Sequence, residues 1–157
     1  MRDGAKRWWE FDVDLPSGRF ISNDILAAVG RVQLRKLPGF LERRRSAWDF
    51  YQRELAGLPW LRTPPEPQAG CTSSYYIYWI RVDSGRDELA ASLAEQGIYS
   101  TFRYFPLHLV PHYRASSRLP NAERLNETAL NLPLHQNLSD GDLEHIVACV
   151  RKFRPAR

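Results

Sequence analysis

The sequence predicts an α+β fold: a small mixed or antiparallel sheet covered by helices and preceded by a long, kinked helix. Apolar residues recur at helical spacing over residues 22–55, 84–96 and 139–153. Tyr75–Val82 alternates with the period of a strand, and the aromatic run Tyr99–Phe105 suits a pleated, half-buried surface. Helices or long loops separate these strands, so the helices are expected to lie as a layer on the sheet.

Taken in order, residues 1–21 read as an arm. Trp8, Trp9, Phe11 and Val13 stand among charges and lead into the turn signal Pro16-Ser17-Gly18. Residues 22–157 read as one unit. Ser22 or Asn23 can cap a first helix, with Ile25, Val29 and Val32 on one face and Leu26, Leu34 and Leu37 widening it. Pro38 pushes Leu37 away from helical dihedrals, so a break or kink is expected there, with a second helix from Pro38 to about Leu55. Gly57-Leu58-Pro59 ends it, and Pro64-Pro65-Glu66-Pro67 is a stiff, extended connector. After the strand at Tyr75–Val82, residues 84–96 form a short helix with Leu89 and Leu93 inward and Gly97 as its stop. Pro106 cannot donate to a ladder, so the strand from Tyr99 ends near it and an irregular segment follows to Tyr113. Pro120 opens a helix to about Thr128, and Leu130–Leu134 is a short extended piece ending at His135. Ser139 and Asp142 make a capping-box start for the last helix, where Leu143, Ile146, Val147, Val150 and Phe153 repeat at helical spacing.

At 157 residues the chain has the size of one domain with a real core. Its apolar fraction of 43% excludes a disordered chain, and a charged fraction of 25% is ordinary. The net charge of +4 comes from 22 basic against 18 acidic residues. The densest basic cluster, Arg43-Arg44-Arg45, fans around a helix axis, so no stripe marks a nucleic-acid partner. No stretch approaches the ~18 apolar residues of a membrane span, and no apolar signal region follows Met1–Lys6. Cys71 and Cys149 fit neither a disulfide framework nor a zinc spacing. The expectation is a soluble cytoplasmic protein with free thiols.

Chemistry concentrates between Ile98 and Tyr113, where aromatic rings, Arg103, His108 and His112 crowd into a loop that a rigid scaffold would hold on show. His108 is the candidate acid or base, because an imidazole titrates near neutrality, with Tyr104 beside it. Arg103, Tyr99, His112, Arg19 and His135 are the candidates for holding a small polar or sugar-like ligand. His108 and His112 stand four apart, but Pro111 makes a helix doubtful and no third ligand lies nearby, so no metal is expected. A G-x-S-x-G elbow and a Gly-rich phosphate loop are both missing. Lysine is confined to Lys6, Lys36 and Lys152, each better explained by a polar arm or a helix end than by a site.

Several stretches together resemble the C-terminal part of the DegT/StrS-type aminotransferases, pyridoxal-phosphate enzymes that aminate keto-sugars. They are D-I-L-A-A-V-G-R-V-Q-L-R-K-L (Asp24–Leu37), E-R-R-R (Glu42–Arg45), Y-Y-I-Y-W-I-R-V-D (Tyr75–Asp83), G-I-Y-S-T-F-R-Y-F-P-L-H (Gly97–His108) and L-N-L-P-L-H-Q-N-L-S-D (Leu130–Asp140). The resemblance covers nearly the whole chain, in order. It implies the small domain of such an enzyme plus the long helix joining it to the cofactor-binding large domain. Tyr104 and His108 match the family's substrate-side aromatic and histidine. A polar residue that the family places before the Asp24 run falls on Ile21, with Arg19 two residues earlier. The region that carries the family's Schiff-base lysine is not among these residues. The resemblance therefore implies no cofactor in this chain alone, and pyridoxal phosphate only where a partner carrying the lysine supplies it. The expected role is to bind a sugar-like ligand, or to complete the active site of a homodimer, a full-length enzyme or a split partner, without transamination by this chain alone. Two alternatives stand beside it: a cofactor-independent enzyme using His108 and Tyr104, and a structural or regulatory dimer module.

Overall fold

One helix, α1 (Asp24–Leu55), takes the place of the two expected on either side of Pro38. Proline inside a helix loses one hydrogen bond, here to the Leu34 carbonyl, and crowds that carbonyl with its ring. Leu34 and Leu37 are both exposed, so water can take the freed group. Burial of Ala47, Trp48, Tyr51 and Leu55 then fixes the later turns of the same helix. At its start, the Asn23 side chain accepts from the Leu26 N–H at 2.9 Å, as a cap should.

The computed structural model describes residues 22–102, 104–113 and 117–155, so the arm expected over residues 1–21, with Trp8, Trp9 and Arg19, lies outside the described residues. The chain falls into two compact units, residues 1–35 and 36–157. Within residues 22–35 the helix exposes Ile25, Leu26 and Val29, with Ile25 77% accessible. The remaining architecture belongs to the second unit.

Its sheet has three antiparallel strands, β1 (Leu61–Arg62), β2 (Tyr78–Val82) and β3 (Ala129–Leu132), with β2 in the middle. Leu61 faces Val82, Ile80 faces Leu130 and Tyr78 faces Leu132. Directly opposite residues share a face, so one face is wholly apolar. That face joins α1, α2 (Arg86–Glu95) and α4 (Asp140–Lys152) in one core through Leu89, Leu93, Leu143, Ile146, Val147 and Val150. Tyr51 packs on Tyr78 at 4.8 Å between ring centroids, and Trp48 meets the same ring edge-on at 6.0 Å. Pairs of this kind add about 0.5–1.5 kcal/mol each beyond their buried area. The opposite face carries Trp79, Arg81 and Asn131, with α3 (Pro120–Thr128) against β2.

Two strand expectations need correction. β2 starts at Tyr78 instead of Tyr75, because Tyr75 has a left-handed backbone (φ 45°), which no strand tolerates. Its ring is committed to Trp48 at 5.7 Å, and its N–H to the Ser73 hydroxyl. The strand expected over Tyr99–Phe105 shrinks to one bridge, Thr101 opposite Asn131. Tyr99, Tyr104 and Phe105 are all exposed. Ser100, Thr101 and Phe102 are half-buried, so packing supports the ladder around Thr101 but not at the exposed Tyr99, Tyr104 and Phe105.

The ends of the unit are clipped together across the sequence. Arg43 donates to the Leu138 carbonyl through Nε (3.0 Å) and Nη2, and to Asp140 at 2.8 Å. Arg151 reaches Glu54 at 2.9 Å, and the Tyr51 hydroxyl donates to the Pro133 carbonyl at 2.9 Å. The α4 capping box forms as expected: Ser139 Oγ accepts from the Asp142 N–H, and Asp142 Oδ2 accepts from the Ser139 N–H. Among the described residues no helix is long and apolar enough to cross a membrane.

Candidate functional site: a loop strut and an open cleft

Gly97, at φ 76°, turns the chain out of α2, and Ile98 is buried immediately after it. From that anchor the backbone runs outward to Thr101, whose N–H and carbonyl both pair with Asn131, at 3.3 and 2.6 Å. Arg103 lies outside the described residues, as do residues 114–116. Tyr104 is exposed. Single 3₁₀ turns follow at Leu107–Leu109 and Pro111–Tyr113. The first tucks His108 inward, leaving its side chain 7% accessible, and brings Nε2 to 3.2 Å from Glu123 Oε1 on α3. A carboxylate only accepts, so the imidazole donates from Nε2, which in the neutral ring leaves Nδ1 as the acceptor.

Glu123 holds more than the histidine. Arg118 Nε donates to both its oxygens at 2.9 Å, and the Leu119 N–H donates at 3.1 Å. The Arg118 hydrogen bond, helped by those from His108 and Leu119, holds the Glu123 carboxyl at about 2. The result is a strut that ties the loop to the start of α3. His112 stays exposed, edge-on to Tyr113 at 5.4 Å. Tyr104 and His112 are thus exposed on the same segment in which His108 is turned inward.

Tyr99 and His135 do converge. Both line an open cleft of about 500 Å³ at the Tyr78–Leu132 end of the sheet, within the usual range for small-ligand sites. Its floor is apolar, formed by Ile98, Leu132, Leu134 and Ile146. Its polar groups are Thr101, Asn131, His135, Asp142 and His145, with the rings of Tyr76 and Tyr99 at the edge. His135 accepts the Asn137 N–H at Nδ1 (3.3 Å), which leaves Nε2 to donate in the neutral ring. His145 directs Nε2 at the Gln96 carbonyl at 3.3 Å. Two hydrogen bonds from Ser139, with the nearby His135 and His145, hold the Asp142 carboxyl below its usual range. Both of those bonds fall on Oδ2, and Oδ1 takes none among the described residues.

Among the described residues Arg44 Nε, Arg86 Nε and Asn131 Nδ2 are buried without a hydrogen-bond partner, and of the three residues only Asn131 lines the cleft. Asn131 is 6% accessible. Leaving such a donor unpaired costs about 1–3 kcal/mol. Sequence reasoning passed over Asn131, although a polar residue inside Leu130-Asn131-Leu132 was a visible signal. It read Asp142 as a cap alone and gave no hint of Glu123 or His145, whose roles depend on partners distant in the chain.

Pyridoxal phosphate, which the family resemblance implies, needs a lysine for its aldehyde and cations or N–H donors for its phosphate. The cleft lining holds neither lysine nor arginine, and Asp142 places a carboxylate there. Lys36 and Lys152 lie outside it, exposed on α1 and α4. The cleft does not fit that group.

Comparison with known proteins matches residues 6–151 to the DegT/DnrJ/EryC1/StrS aminotransferase family. The chain is 44% identical over 148 residues to the dTDP-4-dehydro-2,3,6-trideoxy-D-glucose 4-aminotransferase of Saccharopolyspora spinosa, covering 92% of this chain and 38% of that protein. The crystal structure of the aminotransferase TlmJ from Streptoalloteichus hindustanus superimposes with a TM-score of 0.86 at 51% identity, over 94% of this chain and 40% of that one. A DegT DnrJ EryC1 StrS aminotransferase from Brucella abortus gives 0.72 at 34% identity, over 81% and 34%. The chain therefore spans about two fifths of the length of relatives such as the first two.

Proposed function

The chain belongs to the DegT/DnrJ/EryC1/StrS aminotransferase family, and we propose that it serves in the amination of a keto-sugar by forming the substrate-side part of the active site. On this reading it works with a lysine-bearing partner that supplies pyridoxal phosphate, and it does not transfer an amino group alone. The observation that carries the reading is the high identity to the Saccharopolyspora spinosa enzyme, whose substrate is a 4-keto deoxysugar carried on dTDP, over nearly all of this chain.

The loop geometry supports the same role. Glu123 fixes the His108 ring through Nε2, so Nδ1 is held in one direction to accept a hydrogen bond or a proton. Tyr104, exposed beside it in sequence, offers a phenol that can orient a sugar hydroxyl. Arg103 and Arg19 belong to the proposal as further polar contacts, and His112 stands exposed on the same loop. The exposed apolar turns of α1 at Ile25, Leu26 and Val29 supply a surface for the partner, whether a second copy or a longer relative.

The experiment is an amination assay with a dTDP-4-keto-deoxysugar, glutamate and added pyridoxal phosphate. The purified chain alone is expected to show no turnover, and turnover is expected to appear when a separately produced lysine-bearing segment of a relative is added. His108→Gln should then lower kcat by about 10²–10⁴-fold with the fold intact. Turnover by the chain alone, or full turnover in the His108→Gln complex, overturns the corresponding part of the reading.

A further inference from the structure

We infer that the cleft between the Ile98–Thr101 segment and α4 is a binding site for a small organic cation with an alkylated ammonium head, held by the rings of Tyr99 and Tyr76 and the carboxylate of Asp142. The site uses none of Tyr104, His108 and His112, so it stands whether or not an amino group is transferred. Its groups lie at the open edge of the cleft, where a ligand can reach them. Tyr99 is 76% accessible and Tyr76 57%, and Asp142 is exposed.

Helix α4 brings the acid to the aromatic wall. His145 directs Nε2 at the Gln96 carbonyl at 3.3 Å, which ties the helix to the residue just before Gly97 and the Ile98–Tyr99 wall. Asp142 stands three residues before His145, so the two share a face of α4. Ser139 fastens the Asp142 side chain through Oδ2, from its N–H at 2.8 Å and its hydroxyl at 2.7 Å. Oδ1 takes no hydrogen bond among the described residues and is left open to a ligand. Those Ser139 bonds also hold the carboxyl below its usual range, so its charge persists at neutral pH. No lysine or arginine lines the cleft and Asp142 is its one acid, so the fixed charge there is negative.

The free groups also select the kind of cation. A primary ammonium brings three N–H donors that each need an acceptor. Beyond Asp142 Oδ1, acceptors nearby are already taken: His135 Nδ1 by the Asn137 N–H, and the Thr101 carbonyl by the Asn131 N–H. An ammonium whose hydrogens are replaced by methyl groups asks for no acceptor. It needs a carboxylate for its charge and aromatic faces for its polarised methyls, and both are present. A bare metal ion finds no set of three ligating side chains among the described residues. An anion would meet Asp142 with no cationic side chain to offset it.

The test is a titration of the isotope-labelled chain with choline at neutral pH, followed by NMR at the Tyr99 ring and the Asp142 backbone amide. The control is 3,3-dimethylbutan-1-ol, the neutral isostere of choline with carbon in place of nitrogen. Choline is expected to shift both resonances saturably, with a Kd of roughly millimolar order, and the isostere to bind about tenfold more weakly. Tyr99→Ala, at an exposed position, should weaken choline binding about threefold, read at the Asp142 amide. Asp142→Asn keeps an oxygen to cap α4 but removes the charge, and should weaken binding about threefold as well. Shifts that do not saturate, an isostere that binds as tightly as choline, or an unchanged choline affinity in either variant would overturn the inference.

Discussion

Glu123 shows how much one side chain can organise. Its carboxylate accepts from Arg118, Leu119 and His108 at once, and so fixes both the start of α3 and the loop before it. Its pKa falls from an ordinary 4.5 to about 2. A carboxyl depressed by folding contributes its full stabilisation above about 4.5 and loses it as pH falls through about 2. Amide exchange in residues 107–113 is therefore expected to accelerate between those two values, and Glu123→Gln should show the faster exchange already at neutral pH, without the acid step. An exchange profile in that loop that is flat with pH in the native chain would contradict this. None of it was legible beforehand. His108 stood out for its chemistry, but the acid that holds it sits fifteen residues on, in a helix that local signals place without saying which way Glu123 points. Asn131 was readable in kind, as a polar residue in an apolar run, and unreadable in consequence, because the sequence does not show whether a buried amide finds a partner.

Elements were legible where their signals are local. α2, α3 and α4 carry a glycine stop, a first-turn proline and a capping box, and each forms where those residues place it. Pro38 misled because its cost of about 3 kcal/mol depends on whether the freed carbonyl can reach water and on how firmly the following turns are held. β1, at two residues, is too short to have any periodicity. Tyr75–Val82 carries the right alternation throughout, yet Tyr75 serves Trp48 and Ser73 in place of the sheet. The stop after α2 gives a direct check. Gly97 holds φ 76°, a region that costs other residues about 1–2 kcal/mol. No atom would crowd an added Cβ there, so Gly97→Ala isolates the backbone term. Chemical denaturation should show a loss of about 1–2 kcal/mol with an unchanged m-value. A neutral result would mean that the turn has relaxed.

For the whole molecule the mixture of periods was enough. An antiparallel sheet with α1, α2 and α4 in one core is the α+β layering that alternating helical and strand signals require. The family match adds that these residues correspond to about two fifths of relatives such as the Saccharopolyspora spinosa enzyme. The cleft could be read only in part. Tyr99 and His135 were named from the sequence, while the groups that complete their cleft became visible only once β3 and α4 had been brought beside them.

The grip of Arg43 on Leu138 and Asp140, and of Glu54 on Arg151, has a consequence during synthesis. Trp48, Tyr51 and Leu55 of α1 share their core with Leu143, Ile146, Val147 and Val150 of α4, which is made after every other described element. While the ribosome still conceals that helix, Trp48, Tyr51 and Leu55 have only part of their native neighbours. Nascent chains arrested after Leu138 should be cut rapidly by protease near α1, and chains extended past Lys152 by a linker long enough to clear the exit tunnel should resist. Equal sensitivity in the two would show that the emerging chain closes its core without α4.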